Sequence, residues 1–174
     1  MDRGAGTMQQ RERFSETGDL HPIDLVETVA TSQDWSFDRI GDDQIAMAVE
    51  GQWRTYSITL AWCEHEEVLR LVCCFEMEPP EGCEDRLHEL LNRINGECWT
   101  GCFVWWGEDQ TMAWRAGLPL SGGACAETEQ VNAMVAEAVL TAERFYPAIQ
   151  LVCWGGRPAR EAMQVAIAEA YGTA

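Results

Sequence analysis

The 174 residues, enough for one domain of the usual ~100–200, carry 29 acids against 12 basic residues, a net charge of −17. That field repels phosphate backbones and anionic membrane surfaces, and no concentrated basic patch offsets it, so neither nucleic acid nor a membrane is an expected partner. Every basic residue is an arginine, which removes P-loop, Schiff-base and Ser-x-x-Lys chemistry, because each needs an ε-amine.

Residues 1–20 hold few apolar side chains and read as a flexible tail, leaving 21–174 as a single domain. A first helix is expected from Pro22, a residue suited to the first helical position, with Ile23, Val26 and Ala30 on one face. From Trp35 the period becomes alternating. After the Gly41-Asp42-Asp43 turn, Ile45, Met47 and Val49 mark one strand. Tyr56, Ile58, Leu60 and Trp62 mark a second, and Leu69, Leu71, Cys73, Phe75 and Met77 a third, with Arg70 and Glu76 facing water. Connections this short make the three an antiparallel meander.

Pro79-Pro80 stops the meander, since proline donates nothing to a ladder. A second helix follows with Leu87, Leu90, Leu91 and Ile94 on one side and Asn95-Gly96 as its C-cap. Next comes a hairpin whose first arm is apolar on both faces, Phe103 and Trp105 on one and Cys102, Val104 and Trp106 on the other, which implies cover on both sides. Its return arm carries Met112, Trp114 and Ala116. From Glu127 to Gly156 a long helix repeats apolar residues at alternating spacings of four and three, with a kink expected near Phe145-Tyr146 because Pro147 lies inside it. Its stripe is too broad for one sheet face, so it is expected to be shared with a partner subunit. A last helix is expected from Pro158. The order gives an α+β domain, an antiparallel twisted sheet of a three-strand meander plus a hairpin with helices packed on it.

Chemistry-bearing clusters are thin. The N-terminus has no apolar signal segment, so the expected setting is cytoplasmic, and the eight cysteines are expected to be reduced. No apolar run approaches the ~20 residues of a membrane span. Cys63-x-His65 with Cys73-Cys74, and Cys98-x-x-x-Cys102, offer soft ligands, but neither has zinc-knuckle spacing, and Cys73 and Cys74 point to opposite faces of a strand. His88 lies four residues after Glu84, a spacing that serves an ion pair as well as a dyad. No catalytic residue, metal or cofactor is assigned. The aromatic set Trp105, Trp106, Trp114, Phe145, Tyr146 and Trp154 clusters around the hairpin and the kink, and is the candidate partner or dimer surface.

The segments His21 to Glu27, Trp99 to Trp106, Leu118 to Gly123, and above all Glu143-Arg144-Phe145-Tyr146-Pro147-Ala148 ending in Trp154-Gly155-Gly156 resemble the YbjN-domain family of proteobacteria, over about residues 20 to 174. The resemblance implies the fold of the type III secretion chaperones, which are small, acidic, usually homodimeric, and bind extended segments of partner proteins. The family is labelled one of sensory transduction regulators and offers no catalytic residues to carry over. The expectation is therefore a homodimeric, non-catalytic, protein-binding regulator or chaperone-like adaptor. The alternative is a small-molecule or metal-binding sensor or enzyme with the aromatic hairpin as a pocket wall.

Overall fold

The computed structural model describes residues 20–171, with side chains as far as residue 166. Apart from Leu20, the tail assigned to residues 1–20 lies outside the described residues. The chain opens with α1 (Pro22–Ser32), where proline occupies the first turn and His21 Nδ1 accepts the Ile23 N–H at 3.3 Å, so an imidazole serves as the N-cap. β1 (Ser36–Gly41), β2 (Gln44–Glu50), β3 (Thr55–Cys63) and β4 (Val68–Glu76) follow as an antiparallel meander, one strand more than expected. β1 is an edge strand in which Phe37 alone is half-buried, so it lacks the alternation that marks a strand in sequence.

α2 (Glu84–Asn95) leads into the hairpin of β5 (Cys102–Trp106) and β6 (Thr111–Pro119). The hairpin joins the meander through its return arm, giving one six-stranded antiparallel sheet in the order β1-β2-β3-β4-β6-β5. α3 (Thr128–Cys153) begins with a capping box, the Glu127 N–H donating to Gln130 Oε1 at 2.9 Å, and it continues helical through Pro147. α4 (Ala159–Tyr171) closes the described chain, just after Pro158.

Residues directly opposite on paired strands share a face of the sheet. Ile45, Ile58, Leu60, Leu71, Cys73, Trp114 and Phe103 therefore form one continuous layer, and all are buried. The four described helices belong to this side: α1 packs on β1–β3, α3 on β4 and β6, α2 on β5, and α4 on α2 and α3. Burying each large aliphatic chain here is worth about 1.5–3 kcal/mol.

The stripe of α3 is covered differently from the expectation. Besides its own sheet, α1, α2 and α4 close around it, so Val131, Val135, Ala138, Ala142, Ile149 and Val152 are all buried within one chain. Of its large apolar residues, only Leu140 stays exposed, with Trp154 just beyond the helix end. No partner subunit is needed to cover it. The architecture is α+β: an open antiparallel sheet with helices on one face.

Candidate functional site: the uncovered face of the sheet

Among the described residues, the second face of the sheet has no helix over it. The register places Ala48, Ser57, Cys74, Ala113 and Val104 in one row across the strands, and Ala46, Thr59, Val72, Arg115 and Cys102 in the next. None of these residues joins the main hydrophobic cluster, and of them Ala113 alone is fully buried. Apolar residues lie in the middle rows of the face, with Arg115 standing among them beside Val72. Glu50 and Glu76 lie where β2 and β4 end, and Arg70 lies towards the opposite end. Arg70 is tied to Glu66, whereas Arg115 makes no ion pair among the described residues.

Two concavities shape this face. One, of about 610 Å³, lies between Arg70, Val72, Cys102, Trp106 and Arg115; the other, of about 390 Å³, lies between Arg54, Ser57, Cys74, Glu76 and Thr111. Both faces of the hairpin are expected to be covered; among the described residues, helices cover one face, and Cys102, Val104 and Trp106 on the other are half-buried. The signal was present in sequence: Val72 and Cys74 alternate in phase with the water-facing Arg70 and Glu76, a place where polar residues are usual.

A third hollow, of about 430 Å³, lies on the helix side between β6 and α3, with Trp99, Leu118, Ala133 and Met134 as its apolar walls and Glu137 at its rim. Trp99 is 97% exposed. The Thr100 hydroxyl donates to Glu137 at 3.3 Å, tying the loop before β5 to α3. Gly101 lies where any side chain would overlap the Trp114 ring, so the loop presses flat on the core there.

The six aromatic residues singled out in sequence do not share one surface. Trp114 and Phe145 are core residues, Phe145 meeting Phe103 edge-on with ring centres 6.2 Å apart. Trp105 packs half-buried against the same core, and Trp106 lies on the uncovered face. Trp154 is exposed just past α3. Tyr146 stacks on Trp53 at 6.2 Å and meets Phe75 edge-on at 5.8 Å, with the Arg54 guanidinium 5.9 Å from both the Phe75 and Tyr146 ring centres. Arg54 also donates to the Glu76 carbonyl. Sequence periodicity pointed to neither Trp53 nor Arg54, because both sit in the β2–β3 turn, where no period operates.

Beside that cluster the Trp53 N–H donates to Glu143 Oε1 at 3.3 Å, and burial, followed by the nearby Glu143 carboxylate, pushes the Tyr56 phenol up. The interior thiols are chemically quiet. Burial pushes Cys73 and Cys153 up to about 12 and raises Cys74 and Cys98, so these groups stay protonated near neutrality and are poor nucleophiles. Cys73 lies on the helix-covered face and Cys74 on the uncovered one, as strand alternation requires. His88 is exposed and makes no ion pair with Glu84.

No helix among the described residues is long and apolar enough to cross a membrane. No curated protein matches the chain. Among solved structures, that of YbjN from E. coli, described as "a putative transcription regulator", is similar at 12% identity with a TM-score of 0.52, covering 86% of this chain and 92% of the other; at that identity the likeness is one of fold. The family model described as "Putative bacterial sensory transduction regulator" matches residues 22–151, and the chain belongs to that family, YbjN.

Proposed function

We propose that the chain is a non-catalytic, protein-binding regulator of the cytoplasm that works as a homodimer, with the uncovered sheet face lying between the two copies. One observation carries this reading. Among the described residues, an apolar patch of Val72, Cys74, Val104 and Ala113 has no helix over it, while the other face of the same sheet takes the four described helices. The opposite charges at the two ends favour a second copy as its cover. A two-fold axis running across the strands at β4 lays Arg70 of each copy against Glu76 of the other, so the face is complementary to itself.

The hollow beside Trp99 stays on the outside of such a dimer. Its apolar walls and the carboxylate at its rim suit a segment of another protein with an apolar anchor and basic flanks, which the net charge of −17 would steer inwards. This is the adaptor, chaperone-like part of the reading. The same charge, with no basic patch, supports regulation through protein contact rather than through direct contact with nucleic acid. A second reading, a sensor of an anionic small molecule, rests on the 610 Å³ concavity, where Trp106 stands beside Arg70 and Arg115.

Cys102 lies on the uncovered face and reports on it directly. Maleimide labelling of the full chain is expected to leave Cys102 protected at micromolar protein concentration and to reach it once Val72→Asp opens the face. Equal labelling of the two proteins would contradict the dimer.

A further inference from the structure

We propose that Cys63, His65 and Glu66, at the turn between β3 and β4, form a binding site for a borderline-soft divalent cation, with Zn²⁺ as its natural class. Neither the family description nor the docking face calls for such a site. It rests on the geometry of the turn, and although Arg70 also belongs to the docking face, the Cys63 and His65 variants test it apart from the dimer.

Cys63 ends β3, and a 3₁₀ turn at Glu64–Glu66 follows. Cys63 Sγ lies 3.2 Å from Nδ1 and 4.0 Å from Nε2 of His65, and His65 Nε2 lies 3.6 Å from Glu66 Oε1. One ligand atom from each residue lies within 4.8 Å of the others. With Zn–S near 2.3 Å and Zn–N or Zn–O near 2.0–2.2 Å, tetrahedral ligands stand roughly 3.3–3.7 Å apart. The three atoms therefore reach a common ion by small side-chain rotations, and the 80% exposed His65 ring is free to make them.

Two features hold the arrangement. Glu67 adopts a left-handed backbone, φ 52°, and its N–H donates to the Glu64 carbonyl at 3.1 Å, which closes the turn with its three donors side by side. Arg70 donates to Glu66 Oε2, so the carboxylate is oriented from behind and leaves Oε1 facing His65. Hydrogen bonds of that kind commonly orient a ligand and tune its affinity.

The donor set selects the ion. Calcium and magnesium favour six or more oxygen ligands, and of the turn's carboxylates only that of Glu66 lies with the cluster. Thiolate, imidazole and carboxylate together suit zinc, with cobalt as its spectroscopic substitute. Three protein ligands at an exposed turn leave the fourth position to water.

The test uses Co²⁺ added to the full-length, reduced protein at neutral pH. The expected result is one Co²⁺ per chain, a thiolate-to-cobalt charge-transfer band in the near ultraviolet, and displacement by Zn²⁺. Cys63→Ser is expected to abolish the band. His65→Asn, at a solvent-exposed ring that the fold does not use, is expected to weaken binding at least tenfold, and Arg70→Ala about tenfold. Cys102→Ser is expected to change nothing. Absence of the band in the unmodified protein, or its persistence in Cys63→Ser, would overturn the site.

Discussion

The side-chain amide of Asn95 pairs with both backbone groups of Phe103: Oδ1 accepts the N–H at 2.7 Å, and Nδ2 donates to the carbonyl at 3.0 Å. β5 is an edge strand, and at this point the end of α2 takes the place of the missing neighbour. Asn95→Ala strips both bonds from a part-buried backbone pair and is expected to cost about 1–3 kcal/mol in urea unfolding. Asn95→Asp keeps an acceptor and should fall in between. A loss below about 0.5 kcal/mol for the alanine variant would mean that the edge is held by packing alone.

Gly51 makes a comparable link at the other end of the sheet. Any side chain there would overlap the Glu143 carboxylate and the Tyr56 ring, both of which close on the turn that carries Trp53 and Arg54. Gly51→Ala is expected to destabilise by about 1–3 kcal/mol through overpacking, and to release Trp53 from Tyr146, read as a red shift of tryptophan fluorescence. Unchanged stability would show that the turn relaxes freely.

The six aromatic residues divide by burial, and substitution should divide them in the same way. Trp114→Ala and Phe145→Ala empty the core and are each expected to cost about 3–5 kcal/mol. Trp154→Ala, at a residue 50% exposed, should stay within about 0.5 kcal/mol. Thermal unfolding of the three variants checks the ranking, and a large loss at Trp154 would contradict it.

The buried thiols set the alkaline limit of stability. An ordinary cysteine titrates near 8.5, whereas Cys73 and Cys153 are pushed up to about 12 by burial. Between those values the unfolded chain has released protons that the folded chain keeps. Stability is therefore complete below about pH 8.5 and falls as pH rises towards 12. The buried Tyr56 phenol, raised for the same reason, acts in the same direction. The urea midpoint is expected to drop between pH 7.5 and pH 10, and less steeply in Cys73→Ala; a flat profile would count against burial as the cause.

Elements with a strong period were legible in the sequence. α1, α2, α3 and strands β2, β3 and β4 follow their apolar repeats, and Pro22 and Pro158 mark helix starts to within a residue. β1 was not legible, because an edge strand with one half-buried residue shows no period. The docking of the hairpin through β6 is a long-range choice that neither arm announces by itself. Asn95 looked like a helix cap, and its bond to β5 needs the fold to be seen. The breadth of the α3 stripe was legible but its cover was not, since three helices from elsewhere in the chain supply what a partner was expected to give. The uncovered face was written in Val72 and Cys74, whose phase is plain although their neighbours on the adjacent strands are not.

Sedimentation equilibrium of the full chain, with Val72→Asp beside it, tests the central claim most directly. The dimer through the uncovered face predicts twice the 19.5 kDa chain mass, about 39 kDa, at micromolar concentration. It predicts a folded monomer for Val72→Asp, since Val72 lies outside the core, with a melting temperature lowered only by the lost dimer contacts. A 19.5 kDa species at every concentration, or a Val72→Asp variant that still dimerises, would contradict it.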